Sequence, residues 1–178
     1  MESSKNEWVD WIKAIFVALL LAIVVRTFLF TSYEVRGESM LPNAHDGERF
    51  IVNKIGYGFS EPERFDMIVF HATEEEDYIK RVIGLPGDTI RYEQDVLYVN
   101  DVAVEEPFIE KEIHEALDRS YTIDFSLPEV VPPEHVFVLG DNRPNSLDSR
   151  RIGFIHKEQI VGKVDLRFWP LTEVGIIH

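Results

Sequence analysis

Tyr78-Ile79-Lys80-Arg81-Val82-Ile83-Gly84-Leu85-Pro86-Gly87-Asp88 opens on aromatic and β-branched residues and closes on a Pro-Gly-Asp turn. A short run of this kind, bounded by turn formers, predicts a strand over 78–83. The same grammar repeats on both sides. Arg49-Phe50-Ile51-Val52-Asn53 and Asp66-Met67-Ile68-Val69-Phe70 precede it, and Thr89-Ile90-Arg91-Tyr92-Glu93 follows the turn. Val96-Leu97-Tyr98-Val99 and Val102-Ala103-Val104 flank Asn100-Asp101, a two-residue hairpin signal. His135-Val136-Phe137-Val138-Leu139 and the run from Ile160 to Phe168 supply two late strands. Many short strands and few helices predict a mainly β domain, barrel-like or sandwich-like. Residues 105–127 are more polar and lack a clean period; 110–117 fits a helical turn as well as a strand pair.

The chain has 178 residues, which suits one medium domain plus an anchor. At 45% apolar and 12% aromatic residues it can fill a core. It holds no cysteine, which removes disulfides, thiolate nucleophiles and cysteine-ligated metals. The net charge is −14, and Lys5, Lys13 and Arg26 balance Glu2, Glu7 and Asp10 before residue 32. All of the acidic excess therefore lies in residues 32–178. Such a domain repels phosphate backbones, which argues against nucleic acid as the main partner. The plain reading of the acidity is solubility.

Ala14 to Val25 is wholly apolar, and Phe28-Leu29-Phe30 resumes the pattern after Arg26-Thr27. Ile12 to Phe30 makes 19 residues, enough to cross a hydrocarbon core of roughly 30 Å as a helix. Lys13 and Arg26 can extend their heads to the interfaces, and Trp8 and Trp11 fit an aromatic belt. A cleaved leader would end on a small-residue site, and Phe28-Leu29-Phe30-Thr31-Ser32-Tyr33 offers none. A buried core helix is the competing reading. The expected layout is a cytoplasmic N-terminus over 1–11, a transmembrane anchor over 12–30 and an outer domain over 31–178.

Three segments carry chemistry. Gly37-Glu38-Ser39-Met40-Leu41-Pro42 must turn, so Ser39 can hold its hydroxyl exposed, although a serine needs a base to become a nucleophile. Lys80 sits in an aliphatic strand, with Tyr78 and Val82 on its face and Ile79, Arg81 and Ile83 on the other. A lysine stripped of water loses basicity and can serve as that base. Lowering it to about 7–8 takes a shift of roughly 3 units, or about 4 kcal/mol. The third segment, Gly140 to Arg150, is dense in donors and acceptors, with Ser146, Asp148, Ser149 and Arg150 able to orient the pair. Taken singly, each has an ordinary reading: a turn serine, a strand-edge lysine, a surface loop with an Asp-Arg pair. Asp141, Asn145 and Asp148 are oxygen ligands, but Arg143, Ser146 and Ile152 break the pattern of a calcium loop. His71, His135 and His156 show no ligand spacing and leave a Ser-His-Asp triad open. Glu74-Glu75-Glu76-Asp77 reads as a solvated loop.

Taken together, Ser-Met-x-Pro at 39–42, Lys-Arg-Val-Ile-Gly-x-Pro-Gly-Asp at 80–88 and Gly-Asp-Asn-Arg-x-x-Ser-x-Asp-Ser-Arg at 140–150 resemble bacterial type I signal peptidases. The resemblance covers nearly the whole chain, with the motifs in the family's order. It implies a mainly β catalytic core with a β-rich insertion, behind one N-terminal transmembrane helix. Ser39 matches the family nucleophile and Lys80 its general base. Ser146 matches the serine that orients the lysine, and Asp148 and Arg150 match a supporting ion pair with Arg81 nearby. Met40, Tyr78 and Ile79 match positions lining the substrate pocket. Two departures stand out: Asn43-Ala44 where Thr-Leu is common, and Arg64-Phe65-Asp66 where Arg-Gly-Asp is usual. Gly37 stands where some relatives carry an oxyanion-binding serine, which leaves the Ser39 backbone N–H as donor.

The implied activity is removal of N-terminal signal peptides from exported preproteins after A-x-A-like sites, through an acyl-enzyme and without metal or cofactor. The implied place is the bacterial cell membrane, with the catalytic domain outside, the lipid bilayer as partner and the secretion translocon nearby. Two alternatives stand beside it. The nearer is another Ser-Lys peptidase, either a specialised pilin-type processing enzyme or a self-cleaving repressor, the latter disfavoured by the anchor and by the lack of a visible DNA-binding segment. A non-catalytic membrane-anchored protein of the same fold is disfavoured by the joint presence of Ser39 and Lys80.

Overall fold

The structure, a computed structural model, describes residues 4–54, 61–116 and 120–177, and within the first helix the side chains from Trp8 to Ile23. That helix, α1 (Ser4–Phe28), is wholly apolar in sequence from Ala14 to Val25, and its large residues from Ile12 to Ile23 are exposed. Among the described residues no helix is long and apolar enough to cross a membrane. α1 overlaps residues 12–28 of the expected span over 12–30. The helix starts earlier, and it stops at Phe28 because Phe30 enters a ladder opposite Asn53. The side chain of Arg26, expected near one interface, lies outside the described residues, as does Leu117 of the ambiguous segment, whereas Lys13, expected near the other, is exposed and pairs with Asp10 at 3.5 Å.

Eight strands form one antiparallel sheet in the order β1-β2-β11-β3-β4-β9-β10, with β12 also on β11. Their ranges are β1 Phe30–Glu34, β2 Arg49–Asn53, β3 Met67–His71, β4 Asp77–Gly84, β9 His135–Leu139, β10 Ile155–His156, β11 Ile160–Trp169 and β12 Gly175–Ile176. A second antiparallel sheet has the order β7-β6-β5-β8, built from β5 Ile90–Glu93, β6 Val96–Val99, β7 Val102–Val104 and β8 Phe125–Ser126. The mainly β expectation holds, and the ambiguous polar segment resolves as a short helix, α2 (Glu110–Glu115).

Apolar runs are continuous where both faces of a strand are covered. In β3, Met67 and Val69 join one cluster with Val35, Met40, Phe50, Val52 and Val164. Ile68 and Phe70 join another with Val82, Val136, Val138 and Ile155. A third cluster packs the small sheet (Ile90, Tyr92, Leu97, Val99) onto Ile83, Phe137 and Leu139 of the large one. At ~25 cal/mol per Å² of apolar surface, burial of this extent is the main force holding the sheets together. β4 lies at the junction, and its C-terminal half, from Lys80 to Gly84, is fully buried.

Turn chemistry sets the register of the small sheet. Gln94-Asp95 and Asn100-Asp101 have positive φ at both positions, the requirement of a tight two-residue hairpin. The Asp95 carboxylate accepts from the Tyr121 and Thr122 backbone N–H groups, at 3.1 and 2.6 Å, and so tethers the returning chain.

Candidate active site

Ser39 lies in the connection between β1 and β2. Gly37, at φ +82°, makes the turn that a side chain would strain, and its N–H donates to Asp46 Oδ1 at 2.7 Å. Met40 is buried in the core and anchors the segment. The Ser39 carbonyl accepts from the Asn142 N–H at 3.0 Å, and Asn142 Nδ2 donates to the Glu38 carbonyl at 3.0 Å. The loop after β9 thus clamps the serine from the other side. Gly140 allows this contact: a Cβ there would fall 2.2 Å from Ser146 Oγ and 2.5 Å from the Ser39 carbonyl.

β4 delivers Lys80 to the same point. Its Nζ lies 2.7 Å from Ser39 Oγ and donates to the Ile79 carbonyl at 3.0 Å. The side chain is 4% exposed. Burial pushes its pKa down to about 8, with the Asp148 and Asp141 carboxylates partly offsetting that push. At neutral pH about a tenth of such lysines are uncharged. A neutral amine at hydrogen-bond distance from a hydroxyl can take its proton.

Arg81, the next residue, points to the other face and is treated differently. It grips Asp141 through Nε and a terminal nitrogen, at 2.9 and 2.7 Å, donates to the Phe65 carbonyl at 2.8 Å and stacks on Phe108. Asp141, an oxygen in the rejected calcium loop, is therefore a buried counter-ion. The two departures from the family pattern meet here. Asn43 Nδ2 donates to Asp141 Oδ2 and to the Phe108 carbonyl, at 2.8 and 2.9 Å. Phe65 holds φ +75°, a conformation that favours glycine, and packs edge-on against Phe108. Aromatic contact there stands against backbone strain.

Asp148 and Arg150 form the expected ion pair, at 2.8 Å from each of two guanidinium nitrogens. Burial works against the Asp148 charge, but Arg150 and the Gly140 N–H outweigh it and hold the carboxyl below its usual range. Ser146 Oγ is buried and forms no bond to Lys80; its hydroxyl is instead among the groups that help hold the Asp148 carboxyl below its usual range. Ser149 Oγ accepts from the Val138 N–H instead of joining the dyad. Among the described residues no histidine bonds Ser39 or Lys80; His71 pairs with Asp77, and His135 and His156 pack edge to face.

Ser39, Met40, Tyr78, Ile79 and Lys80 line one groove of about 230 Å³. The other walls, Tyr33 and Glu34 of β1, Val35 and Arg36 just after it, Asp77 and Leu147, carry no signal in the sequence that marks them as site residues. The strand-favouring residues Phe30, Thr31, Tyr33 and Val35 are the signal that could have found β1. Also missed is a buried network in which Arg143 donates to Glu106 at 2.6 Å and to Tyr92 at 2.9 Å, joining the small sheet to the loop. Among the described residues no cluster of potential metal ligands occurs.

A family model described as "Signal peptidase, peptidase S26" matches residues 8–169. The chain is 50% identical over 163 residues to signal peptidase I of Bacillus caldolyticus, covering 89% of this chain and 90% of that one. It is 42% identical over 178 residues to signal peptidase IB of Staphylococcus aureus, covering 95% and 93%. A crystal structure of a signal peptidase I from Enterococcus faecalis V583 matches with a TM-score of 0.55 at 38% identity, over 59% of this chain and 97% of that one.

Proposed function

The chain belongs to the S26 signal peptidase family, and from that premise we propose that Ser39 and Lys80 are the nucleophile and base with which it cleaves signal peptides from preproteins. The observation that carries the assignment is the 2.7 Å contact between Ser39 Oγ and a buried Lys80 Nζ. Neutral Lys80 takes the hydroxyl proton as Oγ attacks the scissile carbonyl. The oxyanion forms beside the Ser39 backbone N–H. Collapse transfers the proton from Lys80 to the leaving amine, which departs as the mature protein and leaves the signal peptide esterified to Ser39. Lys80 then deprotonates water, the ester is hydrolysed, and Ser39 regains its proton. Side chains already on the chain supply every proton transfer.

The groove supports binding of the substrate as an extended strand. Among the described residues β1 pairs only with β2, and β9 pairs with β4 only from Arg81 onward. Two unpaired backbone edges therefore face the gap beside the dyad, where a peptide can add main-chain hydrogen bonds. Met40, Tyr78 and Ile79 line it, and we assign them to the pocket for small substrate side chains. Ser146, whose buried Oγ forms no bond to Lys80 in this structure, is the group we assign to steady the Lys80 amine when substrate is bound, with Asp148, Arg150 and Arg81 holding its loop. We read α1 as the anchor, with the catalytic domain from residue 31 outside the bacterial cell membrane and near the translocon. The apolar side chains from Ala14 to Ile23, exposed on every side of α1, support this. Anchoring would confine the enzyme to the surface where its substrates emerge.

The test is cleavage of a bacterial preprotein by detergent-solubilised protein, with N-terminal sequencing of the product. A single cut after a small residue, absent with Ser39→Ala and Lys80→Ala, is the expected result. Cleavage that survives Lys80→Ala would remove the dyad.

A further inference from the structure

β1 and β4 flank the substrate groove without pairing with each other. They are separated in the sheet by β2, β11 and β3, and four successive antiparallel pairings make them run in the same direction. One side-chain contact nevertheless joins them. The Tyr33 hydroxyl, from β1, donates to Asp77 Oδ2, from β4, at 2.8 Å. Both residues line the groove that holds Ser39 and Lys80. The other carboxylate oxygen of Asp77 is held by His71 Nδ1 at 2.5 Å, so the acceptor is fixed from the side of β3.

We propose that the Tyr33–Asp77 bond is a clasp that keeps the gap between β1 and β4 at the width of one inserted substrate strand. This rests on the peptidase reading. Two strand spacings come to about 9.5 Å, and a tyrosine and an aspartate reaching toward each other span a gap of that order. Asp77 precedes Lys80 by three residues, so the clasp crosses the groove about 10 Å from the dyad. There it lies over the substrate without touching the scissile bond. Tyr33 and Asp77 are thus positioning residues: they hold two backbone edges at the separation that lets both bond the same peptide. Burial and the Asp77 carboxylate push the Tyr33 phenol up to about 12, so the hydroxyl keeps its donor proton through the alkaline range below that value.

The experiment is steady-state cleavage of one preprotein by full-length wild type, Tyr33→Phe, Asp77→Ala and Asp77→Asn, with a melting temperature for each. Tyr33→Phe keeps the ring and removes only the donor. Loss of one net hydrogen bond predicts a roughly tenfold rise in KM, with kcat within about twofold and an unshifted melting temperature. Asp77→Ala should reproduce the KM rise, and Asp77→Asn, which keeps an acceptor oxygen, should recover most of it. A Tyr33→Phe enzyme with wild-type KM, or one that loses kcat and melting temperature together, overturns the clasp. Wild-type protein that leaves the preprotein intact overturns the peptidase reading instead. The clasp is then decided by affinity of the same preprotein for Ser39→Ala with and without Tyr33→Phe, and equal affinities overturn it.

Discussion

Lys80 and Arg81 are adjacent, both cationic and both nearly inaccessible, at 4% and 1% exposure, yet the fold handles their charges in opposite ways. Arg81 is given a buried carboxylate in fork geometry. Lys80 meets a hydroxyl and a backbone carbonyl, and among the described residues it forms no ion pair. Asp148 and Asp141 act on it only at a distance, which is too little to cancel the cost of burial. The contrast separates two uses of a buried cation. With a counter-ion it fixes structure; without one it becomes a base near neutral pH. Strand alternation makes this possible, since neighbouring residues of β4 face opposite environments.

Removing the reacting groups should give the largest effect. Ser39→Ala and Lys80→Ala are each expected to lower kcat by on the order of 10⁴-fold or more, and the double variant should be scarcely worse, because the pair acts as one unit. Single-turnover cleavage assays measure this. A double variant that is worse by the product of the two losses would show that the groups act independently.

Next comes the ion pair. Asp141→Ala leaves Arg81 buried without its fork, and unfolding in denaturant should show a loss of about 3–5 kcal/mol. Arg81→Met combined with Asp141→Leu should recover much of it, because an apolar pair carries no stranded charge. A double variant as unstable as Asp141→Ala would mean that shape, not charge, is what Asp141 supplies.

Lys80 should behave the other way. Its pKa falls from 10.5 to about 8 on folding, so between those values the unfolded chain binds more protons and stability rises with pH. Below pH 8 the folded protein bears the full cost of a buried charge, about 3 kcal/mol. Lys80→Met should therefore be inactive yet more stable at pH 7 by up to about 3 kcal/mol, an advantage that fades above pH 8 and is gone past 10.5. The wild-type pH profile of kcat/KM should rise through an apparent pKa near 8. A stability gain that does not vary with pH would contradict the assignment.

Two smaller effects complete the series. Gly140→Ala pushes a methyl group into Ser146 and the Ser39 carbonyl, so kcat should fall by roughly 10²-fold through misplacement of the serine. The exposed Lys111–Glu115 pair serves as a control for surface charge, and Glu115→Ala should change stability by less than about 0.5 kcal/mol.

Much of the fold could be read in the sequence where both faces of a strand are apolar or where a turn residue stands at its place. β2, β6, β7 and β9 begin and end as expected. β1 was hidden, because Phe30 continues an apolar run and a helix reading absorbs it. β8, β10 and β12 are two-residue strands made by their partners rather than by their own composition. In the site, the residue types of the dyad were visible, but not the walls of the groove. Tyr33, Asp77 and Leu147 are ordinary in sequence and are brought together only by the sheet. Phe65 shows the reverse case: a position whose backbone favours glycine is filled by an aromatic ring whose partner, Phe108, lies far along the chain.

The sequence by itself determined the class of fold, the family and the identities of the nucleophile and base candidates, because local patterning and motif spacing are properties of the chain. What only the tertiary structure decided is electrostatic. Whether a cation is left alone or paired depends on which long-range neighbours fill the space around it. Lys80 became a candidate base because Asp141 and Asp148 bond other groups, Arg81 and Arg150, and leave a hydroxyl as its nearest polar side-chain partner.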